Sequence, residues 1–114
     1  MELQYRELEN GIRIIKLTGE LDINGVGEIE TKFVGHSAGG NARVLVDLTE
    51  VTFLASIGIR LLLWTAKAVV GSGGKFVLFN PAENVEQVLV VTGIKELVPI
   101  HSDMEAAISS LMGK

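Results

Sequence analysis

Val44 to Val70, read as VLVDLTEVTFLASIGIRLLLWTAKAVV, is the stretch whose pattern decides the fold. Val44, Leu45 and Val46 form an unbroken apolar run up to Asp47, which is how a strand covered on both faces reads. Val44–Leu48 is therefore predicted as a central strand. A second short apolar piece follows, and between Phe53 and Ser56 the pattern changes. From Ser56 no proline interrupts the chain until Pro81, and Leu, Ala and Lys dominate, so a helix is predicted with Ser56 as its N-cap.

Turning that helix by about 100° per residue separates two faces. Gly58, Leu61, Leu62, Thr65, Ala66 and Val69 fall on the side predicted to face the sheet. Ser56, Arg60, Trp64 and Lys67 fall on the other, flanked by Ile57 and Leu63, and this face is predicted to meet solvent or a partner. Ser56 stands at the positive end of the helix dipole, where backbone N–H groups also receive anions well, so its hydroxyl is either a plain cap or part of an anion site.

On the N-terminal side, Leu3–Leu8 and Ile12–Thr18 alternate around the turn pair Asn10-Gly11, a hairpin signal. Glu20–Asp22 follow, then Val26, Ile29, Phe33 and Val34 recur at helical spacing, with Asp22 or Asn24 as cap and a first turn weakened by Gly25 and Gly27. His36–Asn41 reads as a loop. On the C-terminal side, Gly71 to Gly74 stop the helix and Lys75–Phe79 is the next strand, parallel to the central one through a helical crossover. Asn80-Pro81 opens a helix carrying Val85, Val88, Leu89 and Val91 and ending at Gly93. Leu97–Ile100 is an edge strand because of Pro99, and Ser102 caps a final helix, Asp103–Met112, with Glu105 at capping-box spacing. The expected fold is α/β: a mostly parallel mixed sheet with an antiparallel N-terminal hairpin and about four helices mainly on one face.

At 114 residues, the chain is expected to form a single domain, 1–114. With 47% hydrophobic but only 5% aromatic residues, its core must be built from Val, Ile and Leu. Ten Lys plus Arg against 14 Asp plus Glu leave a net charge of −4, which offers no footprint for nucleic acid or an anionic membrane. With no cysteine, thiol catalysis, disulfides and thiolate metal sites are excluded. The start MELQYRELEN is too charged for a signal peptide core. Ile57–Val70, the most apolar stretch, is too short to span a bilayer and contains Arg60 and Lys67, so no membrane insertion and a cytoplasmic location are expected.

Catalytic chemistry finds little footing. The glycines before Lys75 leave a helix and enter a strand, the reverse of a phosphate loop, and Phe76 stands where Ser or Thr would be needed. His36 and His101 have no partners at metal-ligand spacing. Ser56 could join either histidine and Asp47 as a triad, but no G-x-S-x-G surrounds it. Asp22 and Asp47 both stand near strand ends, where turn and cap roles account for them better than a shared metal. No catalytic residue, metal or cofactor is expected.

The string DLTEVTFLASIGIRLLL, Asp47 to Leu63, resembles the signature of the STAS domains. GELD at Gly19 to Asp22, the strand GGKFVL before the Asn80-Pro81 turn, and VEQVLVVTG at Val85 to Gly93 extend the resemblance over nearly the whole chain. It implies an anti-sigma factor antagonist that binds a kinase-type anti-sigma factor and is switched off when that kinase phosphorylates a serine, with a phosphatase to reset it. The matching serine is Ser56, and Asp22 matches an acidic residue near it. Ile57, Arg60, Leu63, Trp64 and Lys67 complete the expected partner-binding face. Ala55 stands where many members carry Asp, which favours a first alternative: a non-phosphorylated subunit of a transporter or stress-signalling complex. A second is a small-ligand or nucleotide-binding module using the Ser56 helix N-terminus.

Overall fold

The computed structural model describes residues 1–113. Five strands, β1 (Glu2–Glu7), β2 (Ile12–Leu21), β3 (Arg43–Leu54), β4 (Lys75–Phe79) and β5 (Ile100–His101), form one sheet in the order of the chain. β1 and β2 are antiparallel, and each later neighbour is parallel. The helices are α1 (Ile23–Ser37), α2 (Ser56–Gly71), α3 (Glu83–Val91) and α4 (Met104–Leu111). The hairpin turns at Asn10-Gly11 as expected: Gly11 takes φ 87°, and the Asn10 side chain accepts from the Ile12 N–H at 3.1 Å.

Side-chain alternation along β3 explains the continuous apolar run. Val44, Val46 and Leu48 point into one core with Val26, Ile29 and Phe33 of α1, Leu62 and Ala66 of α2, and Val85 and Leu89 of α3. Leu45 points the other way, to a smaller core with Ile14, Val77 and Ala107 and Leu111 of α4. Three helices thus cover one face and α4 alone the other, so neither side of β3 is wet along Val44–Val46, while Thr49, Glu50, Thr52 and Phe53 further along the strand are exposed. Each buried aliphatic side chain stabilises the fold by about 1.5–3 kcal/mol relative to exposure.

Several boundaries differ from those the sequence suggests. β3 continues past Leu48 to Leu54 because its end pairs with Gly19 to Leu21 of β2. The last strand is only Ile100–His101, since a 3-10 turn at Ile94–Glu96 occupies the chain before it. α3 starts at Glu83, so Pro81 lies before the helix rather than in its first turn. Asp103, not Ser102, caps α4: its carboxylate accepts from the Ala106 N–H at 2.9 Å. Val34 and Val91, expected to face inward, are exposed, Val91 at 84%. Val91 ends α3, while Val34 sits beside the buried stripe of α1.

Asp22, rather than Asn24, caps α1, accepting from the Gly25 N–H at 2.8 Å. Asp22→Ala is expected to lower stability by about 0.5–2 kcal/mol in urea denaturation, with Asp22→Asn retaining most of it. Equal midpoints for the Ala variant and the parent would contradict the capping role.

Candidate functional site

Parallel pairing brings the carboxyl ends of β2 and β3 together, with Leu21 in register with Leu54. The Ala55 N–H continues the ladder by donating to the Leu21 carbonyl at 3.0 Å. That bond holds Ala55 extended at φ −96°, ψ 172°, and makes it the N-cap of α2, whose own carbonyl accepts from the Gly58 and Ile59 N–H groups. Ser56 is therefore the first helical residue and not the cap expected from its residue type. Its hydroxyl makes no cap bond and it is exposed.

α1 and α2 consequently begin side by side at one edge of the sheet. Asp22 caps one and Ser56 opens the other, so the structure brings these two site residues to the same edge. Gly58 permits the approach: a Cβ there would stand 2.8 Å from the Leu21 carbonyl oxygen. Close by, the Met1 amino group bonds to the Glu28 carboxylate at 2.5 Å, and that bond holds it above the usual amine pKa.

The buried face of α2 contains Gly58, Leu61, Leu62, Thr65, Ala66 and Val69, the same set that the periodicity assigns. On the outer side Arg60 and Lys67 are exposed and Trp64 is 70% exposed, while Ile57 and Leu63 are half-buried against the core. Ile57, Arg60 and Trp64 share a groove with α1, and Leu63 and Lys67 lie outside it. Two apolar residues not read as part of the site stand at the same edge: Ile23, 71% exposed, directly after Asp22, and Phe53, 48% exposed, in register with Glu20. Neither belongs to a periodic pattern, and only their place at the strand ends marks them.

Asp47 lies apart. It pairs with Lys16, six residues back from Asp22, about 20 Å along an extended strand. Its carboxylate accepts from the Thr49 N–H at 2.9 Å and hydroxyl at 2.6 Å, where the register of β3 with β2 shifts. His36 stacks on Tyr5 with ring centroids 3.9 Å apart, and His101 lies on β5. Among the described residues, no helix is long and apolar enough to cross a membrane.

The STAS domain profile matches residues 6–107, and the chain belongs to the STAS family. It is 29% identical over 91 residues to an anti-sigma-B factor antagonist of Staphylococcus epidermidis, covering 80% of this chain and 84% of that one. Two solved structures share its fold. An anti-sigma-factor antagonist (STAS) domain protein of Planctomyces limnophilus superposes with a TM-score of 0.85 at 24% identity, covering 97% of this chain and 98% of that one. The anti-sigma factor antagonist SpoIIAA in its unphosphorylated form does so with 0.79 at 24% identity, covering 99% and 98%.

Proposed function

We propose that the protein is an anti-sigma factor antagonist that docks on a kinase-type anti-sigma factor in the cytoplasm and is released when Ser56 is phosphorylated. It regulates transcription indirectly, as a binding switch rather than an enzyme, and a phosphatase resets it. The observation that carries this reading is the setting of Ser56: exposed, free of any cap bond, in the first turn of α2, at the edge that also exposes Ile23 and Phe53. The S. epidermidis relative, an antagonist by name, supports the same role.

A phosphate there adds about −1.5 to −2 charges to a surface that must lose water on docking. The free N–H groups and positive dipole of α2 stabilise that phosphate locally, so affinity changes without refolding. Asp22 adds a fixed carboxylate at the same edge.

Incubation with the kinase and ATP, followed by peptide mapping, is expected to place the phosphate on Ser56. Ser37 is buried and donates to the Phe33 carbonyl at 2.9 Å, so it is closed to a kinase, whereas Ser72, Ser102 and Ser109 are exposed and are the competing serines. Ser56→Ala is expected to resist the kinase, keep partner binding, and melt within about 0.5 kcal/mol of the parent, because no side-chain cap is lost. Modification of Ser72 with Ser56 untouched would overturn the assignment. Tight binding with no modification at all would favour a constitutive subunit, a role to which Ala55 also points.

A further inference from the structure

α1 and α2 run side by side from the same edge of the sheet and enclose a groove of about 580 Å³. Its lining on α2 recurs from Ile57 to Ser72, 15 residues at ~1.5 Å each, so it is about 22 Å long. Val26, Val34, Ile57, Leu61, Ala68 and Val69 make its surface largely apolar. An apolar cleft of roughly 300–1,000 Å³ with a few placed polar groups is the usual form of a small-molecule site.

Two of its polar groups lack partners. Thr65 is only 6% exposed and lines the groove. Ser37 and Thr92 bond their hydroxyls to the carbonyl four residues back, at 2.9 and 2.6 Å. The Thr65 hydroxyl makes no such bond among the described residues and is not closed off from the groove, so it is free to donate to a molecule bound there. Arg60 also lines the groove and forms no ion pair among the described residues. It lies toward the end where both helices begin, so both dipoles reinforce its positive charge. Trp64, one turn further on, supplies a flat apolar wall.

We infer that this groove binds a hydrophobic monocarboxylate. The Arg60 guanidinium and the Thr65 hydroxyl donate to the carboxylate, and the apolar body lies along the floor toward Ser72. Glu30, exposed on the α1 side of the groove, is a like charge that holds the affinity down. The inference does not rest on the docking reading. It adds a consequence to it, because Arg60 and Trp64 belong to both surfaces and an occupied groove withdraws them from a protein partner.

The test is calorimetric titration with dodecanoate below its micelle concentration, with Trp64 fluorescence as a second readout and dodecan-1-ol and dodecylammonium as controls. Dodecanoate is expected to bind one to one and to shift Trp64 emission, with the alcohol at least about tenfold weaker, ~1.4 kcal/mol. Arg60→Gln and Thr65→Val should each weaken dodecanoate by about tenfold, ~1.4 kcal/mol, while Glu30→Gln tightens it. Arg60 and Glu30 are exposed, so their variants keep the fold even if Thr65→Val does not. Absence of dodecanoate binding would overturn the inference. So would equal binding of the alcohol, preference for the ammonium, or affinity unchanged by Arg60→Gln, which is adsorption of a surface-active chain only. The titration contains no kinase, so failure of the docking reading would leave its result unaffected.

Discussion

Gly25→Ala is expected to destabilise the protein by at least about 3 kcal/mol, a large part of the 5–15 kcal/mol typical of a domain. A Cβ at Gly25 would lie 1.9 Å from the Glu20 carbonyl oxygen and 3.3 Å from the Asp22 carboxylate. The first obstacle is backbone and cannot rotate away, so α1 must lift off the end of β2 and its Asp22 cap must open. Gly27, two residues on, is exposed with open space where its Cβ would be. Gly27→Ala should therefore stabilise the helix by about 0.5–1 kcal/mol. Denaturant midpoints of the two variants check the contrast, and similar shifts for both would show that the close approach of α1 to β2 has been misread.

Trp64→Ala and Arg60→Ala are each expected to weaken docking on the anti-sigma factor by at least about tenfold, ~1.4 kcal/mol, while the melting curve barely moves. Trp64 is 70% exposed, so its truncation removes little from the core. Exposed tryptophan and arginine are also the side chains that most often dominate interfaces, because they give large contact area and several donors at once. Trp64 is the only tryptophan in the chain, so its emission should move to shorter wavelength when a partner covers it. Unchanged affinity in both variants at matched folding would move the docking face from this side of α2 toward Ile23 and Phe53.

The buried face of α2 was legible in the sequence residue by residue, because 16 helical residues carry enough turns for the 3.6-residue period to separate Leu61, Leu62, Ala66 and Val69 from Arg60, Trp64 and Lys67. The hairpin was legible from Asn10-Gly11, and the parallel pairing of β3 with β4 from the helical crossover between them. The start of α2 was not. Serine is a common cap, but the choice of Ala55 depends on a bond to Leu21, more than 30 residues away, that no local pattern reveals. Gly25 looks like a weak helix residue because its spacing does not show that the turn out of β2 sets the Glu20 carbonyl, five residues back, against it. Ile23 and Phe53 become neighbours of the site only through strand register. The groove needs α1 and α2 together, so Val34 reads as a core residue although it lines a cleft.

Whether Ser56 controls docking is the central claim, and one comparison tests it most directly. The affinity of the kinase-type anti-sigma factor is measured by calorimetry for the protein unmodified, phosphorylated at Ser56, and carrying Ser56→Asp, with melting curves confirming that all three are equally folded. Phosphorylation is predicted to weaken binding by at least about tenfold, ~1.4 kcal/mol, with Ser56→Asp weakened in the same direction but less, since it adds a single charge. Equal affinity of the unmodified and phosphorylated forms would contradict the account.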